Sequence, residues 1–167
     1  MIVRPERDDD HPQIAELVGA AFGSPVEPRL VEDLRASAGY LPELALVADD
    51  DGVLVGHVMF TVTELENRTA ILMLSPLAVL PPRQRQGVGS ALVHEGLRRA
   101  AARDEPLVIV EGDPRYYSRF GFARASELGL ERPNERIPEH AFQALRLPAY
   151  DEQARGRVRY PPPFDGL

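Results

Sequence analysis

Apolar and polar residues alternate along this chain with the two periods that separate helices from strands. Residues 14–22 carry apolar side chains at helical spacing, preceded by Asp10 and Gln13 at capping-box positions and ended by Gly23. The apolar positions on this helical face are Ile14, Leu17, Val18, Ala21 and Phe22. A second amphipathic helix is predicted over residues 28–37.

Runs of apolar residues bounded by turn signals predict six strands. These runs span residues 2–4, 44–48, 53–63, 71–80, 107–110 and 141–147. A third helix is predicted over residues 87–103, between the fourth and fifth strands, and a short helical turn over residues 116–120. This order predicts an α/β fold with one mixed sheet flanked by helices, antiparallel in its early strands and parallel around residues 71–110.

The length of 167 residues and the lack of any linker predict a single domain over residues 1–167. We expect a core over residues 2–148 and an extended C-terminal tail over residues 149–167, because Pro161-Pro162-Pro163 favours extended backbone. The charged beginning of the chain and the lack of a long apolar run predict a cytoplasmic protein without a membrane span.

Composition narrows the chemistry further. A net charge of −7 disfavours nucleic acid as a partner, since binding nucleic acid requires neutralising phosphates. Cysteine is absent, which excludes an acyl-cysteine intermediate and a thiolate metal site, and we expect no bound metal. Lysine is also absent, so it is excluded as a base or a Schiff-base former.

The sharpest local pattern is the run Gln84-Arg85-Gln86-Gly87-Val88-Gly89, which lies between an apolar strand and a helix. Glycines at the beginning of a helix allow a phosphate to approach the backbone without hindrance from a Cβ atom. The free N–H groups of the first helical turn can then donate to a pyrophosphate, and Arg83 and Arg85 add positive charge at the same end.

A second pattern follows the fifth strand, in the run Gly112-Asp113-Pro114-Arg115-Tyr116-Tyr117-Ser118-Arg119-Phe120-Gly121-Phe122. The two runs together resemble the GNAT superfamily of N-acetyltransferases. The first matches the family's motif Gln/Arg-x-x-Gly-x-Gly/Ala, and the second is typical of a bacterial subgroup in which a tyrosine precedes a Gly-Phe pair by four residues. In element order the resemblance covers about residues 2–125.

The resemblance implies a GNAT-like sheet that splays between its fourth and fifth strands, with Ser75-Pro76 at the start of the splay. It implies acetyl-CoA as co-substrate and an amine, either a small molecule or a peptide, as acceptor. It also assigns Tyr117 as the catalytic group that hydrogen-bonds the departing sulfur. The residues implied to hold the cofactor are Leu77, Ala78 and Val79 of the strand and Gln84, Arg85, Gln86, Gly87, Val88, Gly89 and Ser90 of the loop and helix.

The general base stays open, because residues 71–80 lack the acidic residue that many family members carry on the fourth strand. The candidates are His57, Glu64, Glu66, Glu111 and Asp113. His57 has an alternative interpretation as a strand histidine with a purely structural role. Tyr117 likewise has an alternative interpretation as an aromatic residue of the core. The backbone N–H of Val79 is a candidate for polarising the thioester carbonyl.

Two rival functions remain beside acyl transfer to an amine. A module that binds acyl-CoA without transferring the acyl group has the same motif, and a dinucleotide-binding βαβ unit has a similar element order. The latter is disfavoured because residues 81–86 separate the strand from Gly87. The acceptor is expected to contact residues 14–40 and 123–160, whose sequence does not identify it. Homodimers are common in the family, so a homodimer is one expected state.

Overall fold

A computed structural model describes residues 1–167, which form four α-helices and nine strands with short 3₁₀ turns between them. The helices are α1 (His11–Phe22), α2 (Val26–Arg35), α3 (Val88–Ala100) and α4 (Pro114–Tyr117). The strands are β1 (Ile2–Pro5), β2 (Tyr40–Asp50), β3 (Val53–Leu65), β4 (Ala70–Val79), β5 (Leu107–Glu111), β6 (Ala123–Arg124), β7 (Leu130–Glu131), β8 (Phe142–Arg146) and β9 (Gly156–Arg159). None of these helices has the length and apolar character needed to cross a membrane.

The strands form a mixed sheet in the order β1-β2-β3-β4-β5-β8-β6, with β9 pairing with β3 and β7. Most neighbours in the main path are antiparallel, whereas β4 and β5 are parallel, as predicted. The parallel ladder is short and joins Leu72 to Val108 and Met73 to Ile109. It ends before the Ser75-Pro76 bond, which is cis, in agreement with the predicted start of the splay.

Contacts within the chain divide it into two compact units, residues 1–61 with 75–99 and residues 62–74 with 100–167. In the first unit, α1 and α2 bury apolar faces, and residues 44–48 of β2 and residues 54–61 of β3 are buried. The second unit has its own apolar cluster, to which the C-terminal segment contributes Ala154 and Val158. The prediction of one domain over residues 1–167 stays a prediction.

The predicted cap at the beginning of the first helix is wrong. Asp10 and Gln13 do not form a capping box, because the Asp10 carboxylate accepts the Arg7 N–H at 2.8 Å and an Arg4 hydrogen bond at 2.8 Å. Gln13 Oε1 instead accepts the Leu54 N–H at 2.6 Å. Asp10 thus bonds to the residues that precede the helix, whereas Gln13 bonds to β3, 41 residues away along the chain.

The C-terminal segment also differs from the predicted extended tail over residues 149–167. Residues Gly156–Arg159 form β9, which pairs with β3 through Glu64 and Leu65. Pro162–Phe164 form a 3₁₀ turn closed by a Phe164 N–H to Pro161 carbonyl bond of 3.0 Å. Burial of Ala154 and Val158 in the second unit explains why this segment is folded into the protein.

The helix bounds are shifted slightly from their predicted positions. The second helix is predicted over residues 28–37. In the structure, α2 begins and ends two residues earlier, at Val26 and Arg35. The third helix, α3, ends at Ala100 rather than Arg103. Gly23 ends α1 in the left-handed conformation, as predicted, with φ of 64°.

Candidate functional site

The segment between β4 and α3 folds back on the strands that precede it. The Leu80 N–H donates to the Val55 carbonyl at 2.9 Å, which holds the end of β4 against β3. The side chain of Gln84 donates from Nε2 to the Val79 carbonyl at 3.1 Å, and Gln86 donates similarly to Pro82. Both glutamine side chains of the loop therefore form hydrogen bonds to backbone carbonyls of the same segment.

The first turn of α3 presents free backbone donors, as the motif predicted. The first i to i−4 bond of the helix runs from the Ala91 N–H to the Gly87 carbonyl at 3.0 Å. The N–H groups of Val88, Gly89 and Ser90 precede that bond and have no intrahelical partner. Gly87 adopts φ of 87°, a conformation that disfavours other residues, and nothing lies within 4 Å of the Cβ that it lacks.

Two glycines set the position of α3 on the sheet. A Cβ added to Gly56 of β3 would lie 2.8 Å from Val88 and 2.7 Å from Leu92 on α3. A Cβ added to Gly96 of α3 would lie 2.2 Å from the Phe60 ring on β3. All three distances are shorter than van der Waals contact, so a side chain at either position would force the helix and strand to shift apart or repack.

The charge at this helix end is smaller than the sequence indicated. Arg83 forms an ion pair of 2.7 Å with Asp50, and this guanidinium hydrogen bond lowers the pKa of the Asp50 carboxyl. Arg83 also donates to Gln86 Oε1 at 3.2 Å. Arg85 has positive φ, is exposed and has no carboxylate partner, so it is the loop arginine whose charge is available to an anion.

Tyr117 lies at the end of α4, and its ring packs against neighbouring residues. Its side chain is 9% exposed, and its ring lies against the backbone of Gly112, where an added Cβ would be 2.5 Å away. Its ring centroid is 5.0 Å from that of Tyr116 and 5.7 Å from that of Phe122. Burial raises the pKa of Tyr117, which keeps its hydroxyl protonated and able to donate at neutral pH.

Among the candidate bases, His57 lies inside a buried polar cluster. It is fully buried, and its Nε2 lies 2.8 Å from Glu6 Oε1. Because a carboxylate can only accept, Nε2 carries the proton. Arg35 donates to the same carboxylate at 2.7 Å and the Tyr40 hydroxyl donates at 2.9 Å. We refer to Glu6, Arg35, Tyr40 and His57 as the Glu6 cluster.

The electrostatics of the Glu6 cluster favour a fixed carboxylate. The Glu6 side chain is 1% exposed, and burial alone would raise its pKa. Hydrogen bonds from His57 and Arg35 outweigh burial and lower the pKa of Glu6 to about 2. The sequence interpretation missed Glu6, because its partners are 29, 34 and 51 residues away along the chain.

Three of the remaining candidate bases are paired with arginines. Glu64 lies 3.3 Å from Arg159, and Glu66 lies 3.7 Å from Arg157. The carboxylate of Asp113 caps α4 by accepting the Arg115 N–H at 2.9 Å, and it also pairs with the Arg115 guanidinium at 3.0 Å. The side chain of Asp113 is thus a helix cap.

Glu111 has a different environment. It is exposed at the end of β5, and its Oε1 accepts a hydrogen bond of 2.9 Å from the Tyr160 hydroxyl. No arginine or histidine lies within ion-pair distance of its carboxylate. Burial raises the pKa of Tyr160, and the neighbouring Glu111 carboxylate raises it further, so this hydroxyl is a stable donor.

A cavity of about 440 Å³ lies in the second unit, on the connection between β6 and β8. That volume is within the range of small-molecule sites. Its lining includes Leu130, Arg132, Glu135, Glu139, Phe142 and Arg157. The side chains of His, Asp and Glu do not form any group of three or more that could hold a metal ion.

Comparison with known proteins identifies the family. The family model described as acetyltransferase (GNAT) domain matches residues 2–125. The curated N-acetyltransferase YhbS of Escherichia coli K12 is 36% identical over 148 residues, which cover 88% of this chain and 87% of that protein. The curated N-acetyltransferase YjhQ of the same organism is 31% identical over 156 residues, covering 90% and 86%.

Solved structures agree with these relatives. The structure of Escherichia coli YhbS in complex with CoA has a TM-score of 0.87 and 34% identity, covering 98% of this chain and 91% of that one. A GNAT acetyltransferase from Brucella melitensis in complex with acetyl-CoA has a TM-score of 0.81 and 29% identity, covering 98% and 97%. Motif, fold and relatives therefore lead to one conclusion: this chain belongs to the GNAT family of N-acetyltransferases.

Proposed function

We propose that this protein transfers an acetyl group from acetyl-CoA to an amine by direct attack of the amine on the thioester, without a covalent enzyme intermediate. The observation that carries the proposal is the first turn of α3, whose backbone N–H groups follow Gly87 without intrahelical partners. Such a helix end favours a pyrophosphate through both its donors and its dipole. The YhbS and Brucella structures were solved with CoA and acetyl-CoA, which supports the same ligand here.

Each predicted residue has a role in this scheme. The backbone of Gln84 to Ser90 holds the pyrophosphate, and Arg85 adds a charge to it. The strand residues Leu77 to Val79 pair with the pantetheine arm, and the Val79 N–H polarises the thioester carbonyl. Tyr117 donates a hydrogen bond to the sulfur as negative charge develops on it. Outright proton transfer from Tyr117 is disfavoured, since burial raises its pKa well above that of a thiol.

The acceptor in this proposal is a small molecule or a peptide with a free amine. The net charge of −7 favours a cationic acceptor through long-range attraction. The cavity on the β6–β8 connection lies within the stretch 123–160 that we expect to contact it, and its lining carries both carboxylates and guanidinium groups. We further propose a bacterial, cytoplasmic enzyme, with a homodimer as the assembly to test.

A thermal-shift experiment tests the cofactor site. A ligand that binds only the folded state at 100 times its Kd adds about 2.7 kcal/mol to the unfolding free energy. We expect stabilisation by acetyl-CoA and CoA and none by NADH. Ser90→Asp places a carboxylate among the phosphate-binding donors, so it should weaken CoA binding at least about tenfold through charge repulsion.

The matched control is Ser90→Asn, which has nearly the same shape without the charge. Both variants should fold, because Asp and Asn are well tolerated near the beginning of a helix. Equal CoA binding by Ser90→Asp and Ser90→Asn would refute the assignment of this helix end. A wild-type protein that is not stabilised by acetyl-CoA or CoA would refute the proposed function itself.

A further inference from the structure

We propose that Glu111 is the general base that removes a proton from the acceptor amine, and that Tyr160 of the C-terminal segment is the residue that positions it. This inference rests on the proposed function, because it names the residue that the acetyl transfer needs and that β4 lacks. Among the candidate carboxylates, Glu111 is the one without an arginine partner, and its one side-chain hydrogen bond engages only Oε1.

The position of Glu111 is fixed by the backbone that follows it. Gly112 donates its N–H to the Ala141 carbonyl at 3.0 Å, and its carbonyl accepts from the buried Gln143 side chain at 3.1 Å. The Tyr117 ring lies directly against Gly112. Glu111 is therefore adjacent in the chain to Gly112, the residue against which the ring of Tyr117 packs.

The other candidates are engaged in ways that oppose base catalysis. A guanidinium paired with a carboxylate occupies part of its surface and repels the ammonium form of an acceptor. Glu64, Glu66 and Asp113 all have such partners. His57 is fully buried with its protonated nitrogen directed to Glu6. The Glu111 carboxylate has a neutral donor, Tyr160, and no guanidinium partner, so an acceptor ammonium can approach it without repulsion from a paired cation.

The Tyr160 hydroxyl restricts the Glu111 side chain to one orientation. The hydrogen bond of 2.9 Å engages Oε1 and leaves Oε2 free to accept a proton. Tyr160 is itself held, since its ring centroid lies 6.4 Å from that of Phe142 and 5.4 Å from that of Phe164. Phe142 is the β8 residue that pairs with Glu111 across the sheet, and it also lines the cavity. Phe142 thus links the strand position opposite Glu111 to a cavity whose volume is within the range of small-molecule sites.

Few other charges surround this carboxylate. Asp113 and Arg115 lie nearby along the chain but are paired with each other at 3.0 Å. His140 is close enough for its charge to lower the pKa of Asp113, although the Arg115 hydrogen bond is the larger cause. From β8 and the C-terminal segment, the groups that face Glu111 are the uncharged Phe142 and Tyr160. His140 is therefore the other titratable group to control for.

The proposed step balances as follows. Glu111 takes one proton from the acceptor ammonium, and the freed nitrogen lone pair forms the C–N bond to the thioester carbonyl carbon. Collapse of the tetrahedral intermediate breaks the C–S bond, and the electron pair leaves with the sulfur. The second nitrogen proton neutralises that sulfur, beside the Tyr117 hydroxyl, and Glu111 returns its proton to solvent. The products are the amide, free CoA thiol and one proton.

The test is the pH dependence of kcat/KM with the best acceptor from a panel of glycinamide, butylamine and spermidine. CoA release can be followed with a thiol reagent without background, because the protein has no cysteine. Glu111→Gln should lower kcat/KM at least about 100-fold near neutral pH, where almost all of the acceptor is the ammonium form that needs a base. Tyr160→Phe should lower kcat about tenfold with the KM of the acceptor nearly unchanged, because the carboxylate loses the donor that orients it.

Three controls separate this role from a structural one. Glu64→Gln and His140→Asn should keep the wild-type profile, and the CoA-induced thermal shift of Glu111→Gln should equal that of the wild type. A Glu111→Gln variant with near wild-type kcat/KM across the pH range would overturn the assignment while leaving the proposed function intact. A Tyr160→Phe profile identical to that of the wild type would overturn the positioning role. Absence of turnover with every amine would count against the proposed function as well.

Discussion

Two carboxylates, Glu6 in the first unit and Glu111 in the second, show how environment separates a structural acid from one that is available for chemistry. The Glu6 side chain is 1% exposed and accepts from Arg35, Tyr40 and His57. Glu111 is exposed and accepts from the Tyr160 hydroxyl alone. The first carboxylate has its lone pairs occupied and its charge compensated, whereas the second retains a free oxygen.

The difference teaches that the number and charge of partners decide what an acidic residue can do. At Glu6 the donors come from α2, β2 and β3, so one carboxylate joins three elements of the first unit. Its proton affinity is suppressed, which makes it a poor base and a good anchor. Changes at Glu6 should therefore affect stability, and changes at Glu111 should affect turnover.

Glu6→Gln is the change with the largest expected effect on stability. It removes the charge that compensates the largely buried Arg35 guanidinium and presents an amide donor to groups that are themselves donors. Breaking a buried ion pair in this way typically costs about 3–5 kcal/mol. Chemical denaturation should show a loss of that size in unfolding free energy, against almost none for the exposed control Glu16→Gln. A loss below about 1 kcal/mol would mean that the cluster is not an anchor.

Acid unfolding should reveal the same cluster with a slightly smaller effect. A carboxylate whose pKa is lowered in the folded state contributes stability above its unfolded value, and that stability disappears as pH falls through the folded value. For Glu6 this window runs from 4.5 down to about 2. At about 1.36 kcal/mol per pKa unit, the contribution is about 3 kcal/mol. The stability difference between wild type and Glu6→Gln should shrink by that amount across the window, and a constant difference would contradict the cause we assign.

Changes at the second carboxylate should have the smallest effect on stability. Glu111→Gln keeps an oxygen that can accept from Tyr160, and Tyr160→Phe removes one exposed hydrogen bond while retaining the ring contacts. Both should change the unfolding free energy by less than about 1 kcal/mol in denaturant titrations. A loss as large as that of Glu6→Gln would show that the two carboxylates have the same structural role.

The sequence predicted the parts of the site that depend on local patterns. The β4 and α3 elements on either side of Gly87 follow from residues adjacent in the chain, and the packing of Tyr117 among aromatic rings agrees with its alternative interpretation as a core aromatic. The resemblance to the GNAT family, based on the same two runs, is confirmed by the family model and the relatives. The assignments of individual cofactor and catalytic residues stay predictions.

Partnerships between distant residues could not be predicted in this way. Glu6 meets His57 across 51 residues, and Glu111 meets Tyr160 across 49. Gln13 illustrates the same limit, since it does not form the capping box that its spacing from Asp10 predicted and instead accepts from Leu54, 41 residues away. A single sequence contains no signal for which of several glutamates will meet an arginine, and that choice decides which of them is free to act as a base.

The glycine contacts of α3 have a consequence for how ligand binding is driven. Because Gly56 and Gly96 hold the helix directly against β3, the helix cannot slide or rotate without breaking packed contacts. Its first-turn donors are therefore oriented before any ligand arrives, and the entropy of ordering them is lost during folding rather than during association. Shortening the Phe60 side chain, for example, would loosen the contact at Gly96. The N–H donors would still be present, but they should bind an anion more slowly and more weakly.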